Sequence, residues 1–202
     1  IAPLTQESCH NFVSWSDGGA ASHQVTIGAA PQTYIATYTP CPVTVTANPG
    51  QSKIYGSGNP VYTYTSSNPA ATFTGTLNRA PGENAGIYAI DQGTLAAAGN
   101  KYTIASFVPA NFTITPKTAS VTPNAANKIY DSADPLLTGT LNGFLPADNV
   151  TAAYGRIAGE TVVGSPYTIS AVLNPAGVLG NYNIAYNTAN LTINPKTASV
   201  TP

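Results

Sequence analysis

The phrase TITPKTASVTP at Thr113–Pro123 returns as TINPKTASVTP at Thr192–Pro202, with one residue changed and the starts 79 residues apart. No other feature limits the fold as strongly. The period is too long for a solenoid whose units share one core, and long enough for each unit to close a small core of its own. Further landmarks recur in the same order. KIYGSGNP at Lys53–Pro60 matches KIYDSADP at Lys128–Pro135, and GTLN occurs at Gly75–Asn78 and at Gly139–Asn142. Gly82-Glu83 pairs with Gly159-Glu160, Tyr88-Ala89-Ile90 with Tyr167-Thr168-Ile169, Asn100–Ile104 with Asn181–Ile184, and Ala110–Ile114 with Ala189–Ile193. The chain therefore reads as two homologous modules, 43–117 and 118–197, with a separate segment 1–42 before them and the opening of a further repeat at 198–202. PKTASVTP is the join, the last strand of one bead running into the first strand of the next. Pro116 and Pro195 punctuate it, because proline cannot donate to a sheet ladder and holds its neighbour extended.

No stretch carries a sustained 3.6-residue apolar period. Short alternating runs rich in Val, Ile, Thr and Tyr predict strands instead. They are HQVTI and TYIATYT (with GAAPQ as the turn between them), PVTVTA, VYTYT, ATFTGTL, GIYAI, KYTIASF and NFTIT, then TAAYG, PYTISAVL, YNIAYN and NLTIN. Turn signals such as NPG, GSGNP, APGENAG and LPADN separate them. The expected fold class is all-β, as tandem small β-sandwich or β-grasp-like modules arranged as beads on a string.

Composition narrows the setting. Only 7 % of the residues are charged and the net charge is −1, against ~25 % charged in an ordinary soluble domain. That leaves no electrostatic footprint for nucleic acid or an anionic membrane. Thr, Ser, Asn, Gly and Pro interrupt every apolar run well short of the ~20 residues that a spanning helix needs. With 43 % hydrophobic residues in alternation, the chain can build a core rather than stay disordered. An uncharged surface rich in Thr and Asn suits a secreted or surface module. The chain opens on Ile1 with neither an initiator Met nor a signal peptide, so the gene product is expected to extend beyond it.

The repeated residues carry a resemblance. Tyr55-Gly56 and Tyr130-Asp131, Tyr88 with Ile90, Tyr167 with Ile169, Asn181-Tyr182 with Ile184, and the closing Leu191-Thr192-Ile193 resemble the MBG-type (YGX-like) repeat domain of bacterial surface proteins. Asp131 stands where the family phrase has Gly, and the first module lacks a contiguous Asn-Tyr pair. Residues 1–42 differ: Trp15, Asp17, Gly18 and Gly19 resemble the Trp-Ser-Asp-Gly turn of internalin B-repeat-like segments, which ends in a strand of the type at Thr33–Thr39. Both resemblances imply export, display on a bacterial cell and membership of a large multidomain protein. Neither implies a reaction.

The chemistry-bearing residues are few: eight acids and two histidines. Ser16, Asp17 and His23 can be read as a triad fragment, but Asp17 followed by two glycines reads more simply as a turn. Cys9 and Cys41 read either as a disulfide closing one loop or as separate thiols, and Cys9, His10 and His23 as a thin set of metal ligands. No cofactor is expected. The oxygen-rich turns Asp131–Asp134 and Pro146–Asn149 are where a calcium ion would sit, yet the first module reads GSGN where the second reads DSAD. Lys53 and Lys128 with Glu83 and Glu160 hold the ingredients of a lysine amide crosslink; otherwise each lysine is a solvated residue at a strand start. Tyr62 and Tyr64 alternate with Thr63, share one face and form the candidate ligand-facing aromatic pair.

The expected function is non-catalytic: structural stalk repeats of a secreted or surface adhesin. Two alternatives belong to other classes. The beads themselves could bind a host or matrix glycan or protein, or the chain could assemble into an extracellular filament by strand exchange through Thr197–Pro202.

Overall fold

The computed structural model describes residues 9–200. Nearly all regular structure is strand. β1 (Phe12–Trp15) pairs antiparallel with β2 (Ala36–Tyr38), Phe12 opposite Tyr38 and Trp15 opposite Ala36. The first repeat follows as β3 (Cys41–Ala47), β4 (Gln51–Ile54), β5 (Tyr64–Ser66), β6 (Phe73–Thr74), β7 (Asn78–Arg79), β8 (Gly86–Asp91), β9 (Ala96–Ala97), β10 (Tyr102–Val108) and β11 (Ala110–Thr115). The second comprises β12 (Lys117–Pro123), β13 (Ala126–Ile129), β14 (Gly139–Asn142), β15 (Thr151–Arg156), β16 (Tyr167–Asn174), β17 (Tyr182–Tyr186) and β18 (Ala189–Asn194). Helix is confined to a 3-10 turn at Pro146–Asp148 and one α turn, α1, at Ala176–Leu179.

Each repeat makes the same pair of sheets. The first has a three-stranded sheet β10-β3-β5 and a four-stranded sheet β4-β11-β8-β7; the second has β14-β12-β17 and β13-β18-β16-β15. In both, the opening strand lies parallel to the penultimate one: β3 beside β10, with Cys41 opposite Tyr102, and β12 beside β17, with Lys117 opposite Tyr182. Only Pro116 lies between β11 and β12. The join therefore falls one to two residues before the boundary expected at 117/118, because proline, lacking an N–H, ends one ladder and starts the next.

Alternation in sequence becomes burial in structure. In β3 the residues Cys41, Val43, Val45 and Ala47 are buried while Pro42 is exposed; in β12 Ala119 and Val121 are buried. Phe112 and Ile114 of β11 are buried in the first repeat, and Ile169, Leu173, Leu191 and Ile193 in the second. By contact, the chain divides into two compact units. One takes the chain up to Gln51 with Val61–Pro81 and Tyr88–Phe112; the other takes Ser52–Pro60, Gly82–Ile87 and the rest from Thr113 onward. Two internal segments of the first repeat, and the end of β11, thus fold into the second unit.

Several strand expectations need correction. HQVTI forms no strand: residues 24–28 have no regular structure, Ile27 is 95 % exposed, and His23 turns back onto its own loop. TYIATYT shrinks to Ala36–Tyr38, whose partner is the Phe12–Trp15 stretch ahead of the WSDGG turn. VYTYT keeps only Tyr64 and Thr65, and ATFTGTL keeps only β6, with β7 starting just after it at Asn78. Alternation marks a face, but a strand forms only where a partner ladder is available.

Candidate functional site

The second repeat builds a polar cluster on the turn after β13 and the hairpin leading to β16, and the first repeat carries the equivalent residues. In the second repeat, Lys128 projects from β13 with its side chain only 4 % exposed. Its ammonium donates to Asp134 Oδ1 at 2.8 Å and to Glu160 Oε2. Arg156, at the end of β15, forks onto the same aspartate, Nε to Oδ2 at 2.6 Å and Nη2 to Oδ1 at 2.9 Å. Nη2 also reaches Glu160 Oε1, and Nη1 donates to the Gly159 carbonyl at 2.6 Å. The guanidinium lies over the Tyr167 ring, 5.4 Å from its centroid. In the first repeat Lys53, equally buried, donates to Glu83. Arg79 caps the Ala80 carbonyl at 2.9 Å and lies 5.0 Å over the Tyr88 ring, as Arg156 lies over Tyr167.

These charges fix one another. The Arg156 fork, aided by Lys128, holds the Asp134 carboxyl down to about 2. Lys128, then Arg156, lowers Glu160, and Asp134 with Glu160 raises Lys128. Amide formation between Lys128 and Asp134 would need a neutral amine and an un-ionised carboxyl, and the cluster favours the opposite form of both. What the second repeat holds is an ionic clasp pinning the 130–134 turn to the 156–160 hairpin. The lysines are therefore not solvated strand starts, contrary to the simpler expectation. The repeated phrases pair the lysines and glutamates but do not single out Arg79 and Arg156. An Arg-x-x-Gly-Glu signature was present at 79–83 and 156–160, displaced by the second repeat's insertion.

A second cluster lies in the second compact unit. The 3-10 turn Pro146–Asp148 presents Asp148, whose carboxylate accepts the Tyr55 hydroxyl at 3.0 and 3.1 Å and the Tyr182 hydroxyl. The Tyr55 and Tyr182 rings meet edge to face at 5.4 Å. Leu145 N donates to the Tyr182 oxygen at 3.0 Å, and buried Asn181 accepts Ala85 N–H at 2.8 Å and donates to Asn84 Oδ1 at 3.1 Å. Burial first, then Asp148, pushes the Tyr182 hydroxyl up to about 12 and raises Tyr55 in the same direction. Gly56, at φ +79°, passes Leu145 so closely that a Cβ there would stand 2.4 Å from Leu145 Cδ1. That explains the Tyr-Gly pair of the first repeat.

Cys9 and Cys41 are joined, Cα to Cα 5.1 Å. The close group is Cys9, His10 and Cys41 rather than one with His23, whose ring nitrogens face Ala20 and Asp17, and disulfide sulfurs offer no thiolate. Asp17 and His23 do meet, Oδ2 to Nε2 at 2.9 Å, yet the other ring nitrogen faces the Ala20 carbonyl at 2.8 Å and Ser16 Oγ accepts the Ile35 N–H. The ring has no nitrogen left for a nucleophile, which removes the triad reading. Tyr62 and Tyr64 share a face as expected, but it is the inner one. Tyr62 packs edge-on against Phe112 at 5.3 Å and Tyr64 against Phe73 at 5.5 Å, so neither is presented as a ligand platform. The carboxylates of the calcium candidates are engaged by protein donors: Asp131 by Lys196 at 3.1 Å, Asp134 by Lys128 and Arg156, and Asp148 by the two tyrosines.

What these arrangements do is hold turns and strand ends in place. The model of the MBG domain of YGX type matches the chain twice, over residues 43–113 and 119–192. Comparison with curated proteins finds no match.

Proposed function

Because the chain belongs to the MBG domain family of YGX type, we propose that it is a run of load-bearing spacer repeats in a bacterial surface adhesin, displayed outside the cell and without catalysis of its own. Two tandem copies of the domain in one chain support a repeat array of a surface protein.

The observation that carries this reading is strand direction. The chain enters the second repeat at the N-terminal end of β12 and leaves at the C-terminal end of β18. Each of these strands lies parallel to one neighbour, β12 to β17 and β18 to β13, and antiparallel to the other, β14 and β16. Tension that runs along a terminal strand shears its parallel ladder. All bonds of a ladder are loaded together, rather than opening one at a time. The opening strand β3 repeats the arrangement beside β10. Around these ladders the ionic clasp and the Tyr55–Asp148–Tyr182 cluster pin turns that would otherwise peel first.

The test against an adhesive role is binding of the 202-residue chain to arrays of glycans and matrix proteins. A spacer gives no specific hit while folded; a saturable, specific hit moves the function to the repeats themselves.

A further inference from the structure

We propose that the loop from Trp15 to His23 is a pH-dependent clasp, closed by a doubly protonated His23 imidazolium and released as that ring loses a proton.

Both ring nitrogens of His23 face acceptors. His23 Nε2 lies 2.9 Å from Asp17 Oδ2, and Nδ1 lies 2.8 Å from the Ala20 carbonyl oxygen. Neither oxygen has a proton to give when Asp17 is ionised. A neutral imidazole carries one N–H, so one nitrogen lone pair would face an oxygen lone pair; only the imidazolium donates to both. Asp17 is kept ionised by the His23 hydrogen bond and by the Gly19 N–H, which donates to Oδ1 at 3.1 Å. Among the described residues Asp17 is the charged side chain acting on His23; from β1 the ring faces uncharged Trp15, at 6.0 Å between centroids. The same contacts raise the His23 ring above its ordinary value.

The clasp is closely fitted. The backbone at Gly19 runs against the imidazole, so that a Cβ there would stand 2.4 Å from Nε2. Trp15 Nε1 donates across the loop to the Ala21 carbonyl at 3.3 Å. Ser16 then ties the loop to β2 through its N–H to the Ile35 carbonyl at 2.8 Å and its Oγ from the Ile35 N–H at 3.0 Å. Deprotonating His23 removes one of the two bonds by which its ring folds residues 17–23 back on themselves. The raised value means that the clasp is fully made below the ordinary ~6.5 of histidine and is lost as pH rises through the higher folded value.

Trp15 is the chain's single tryptophan, so its fluorescence reports this loop. The experiment is a titration of the intact chain from about pH 5 to about pH 9, with His23→Gln and His10→Gln alongside and the His23 ring nitrogens followed by NMR. The expected result is one Trp15 transition with a midpoint above ~6.5, absent in His23→Gln and present in His10→Gln, with both His23 ring nitrogens protonated below it. A flat Trp15 signal, a midpoint at or below ~6.5, or a neutral His23 tautomer at about pH 6 overturns the proposal. The NMR reading is made on the unsubstituted chain, so the test survives a variant that does not fold.

Discussion

Replacing Tyr55 by Phe removes one oxygen and keeps the ring that meets Tyr182 at 5.4 Å. The lost group donates to Asp148 at 3.0 and 3.1 Å. A hydrogen bond to a charged acceptor contributes about 1.5–3 kcal/mol. Asp148 is half-buried and keeps the Tyr182 hydroxyl, which places the loss near the low end, about 1–2 kcal/mol. In a chain of this length that lowers the melting midpoint by roughly 2–4 °C for each kcal/mol. Tyr55→Ala also loses the edge-to-face contact, a further ~0.5–1.5 kcal/mol. The two tyrosines share one acceptor, so Tyr55→Phe and Tyr182→Phe should be non-additive, with a coupling of about 0.5–1 kcal/mol. Thermal melts by circular dichroism give the totals. Hydrogen exchange at the Ala85 and Leu145 amides, which bond to Asn181 and Tyr182, shows whether the loss is local. An unchanged midpoint and unchanged exchange in Tyr55→Phe would refute the reasoning.

Other expectations follow from the same contacts. Ile169→Ala empties a fully buried site in the second repeat's core and should cost about 3 kcal/mol in a chemical denaturation curve. Reducing the Cys9–Cys41 bond, which spans a sequence separation of 32, should destabilise the first unit by about 3–4 kcal/mol, seen as a lower melting midpoint under reductant. Asp134, held down to about 2 by Arg156 and Lys128, contributes stability that is present above its ordinary ~3.9 and is lost as pH falls through 2; Asp134→Asn should flatten that acid limb. Tyr182, pushed up to about 12, contributes stability that is intact below the ordinary ~10 and falls as pH rises through 12, which ultraviolet tyrosinate titration will register as a late-ionising group.

The sequence reading carries far where residues repeat and stops where partners matter. PVTVTA, GIYAI, KYTIASF and NLTIN become β3, β8, β10 and β18 because their alternation coincides with a core that both repeats share. HQVTI alternates as well, but no ladder is offered to it and His23 is drawn to Asp17. Tyr62 and Tyr64 were legible as a same-face pair; that the face points at Phe112 and Phe73 was not, since alternation carries no sign. Lys53 and Lys128 were legible as equivalents because they sit in a near-identical phrase. Arg156 was hidden by the insertion that precedes it. Asp148 has no counterpart in the first repeat, so repetition could not single it out; only the fold brings it to Tyr55, 93 residues away.

The central claim is that these repeats bear load, and force spectroscopy on the single chain tests it most directly. Pulled between its ends, the chain should show resolved force peaks that together release about 500 Å as the two repeats pass from folded to extended. Extension without resolved force peaks would contradict it.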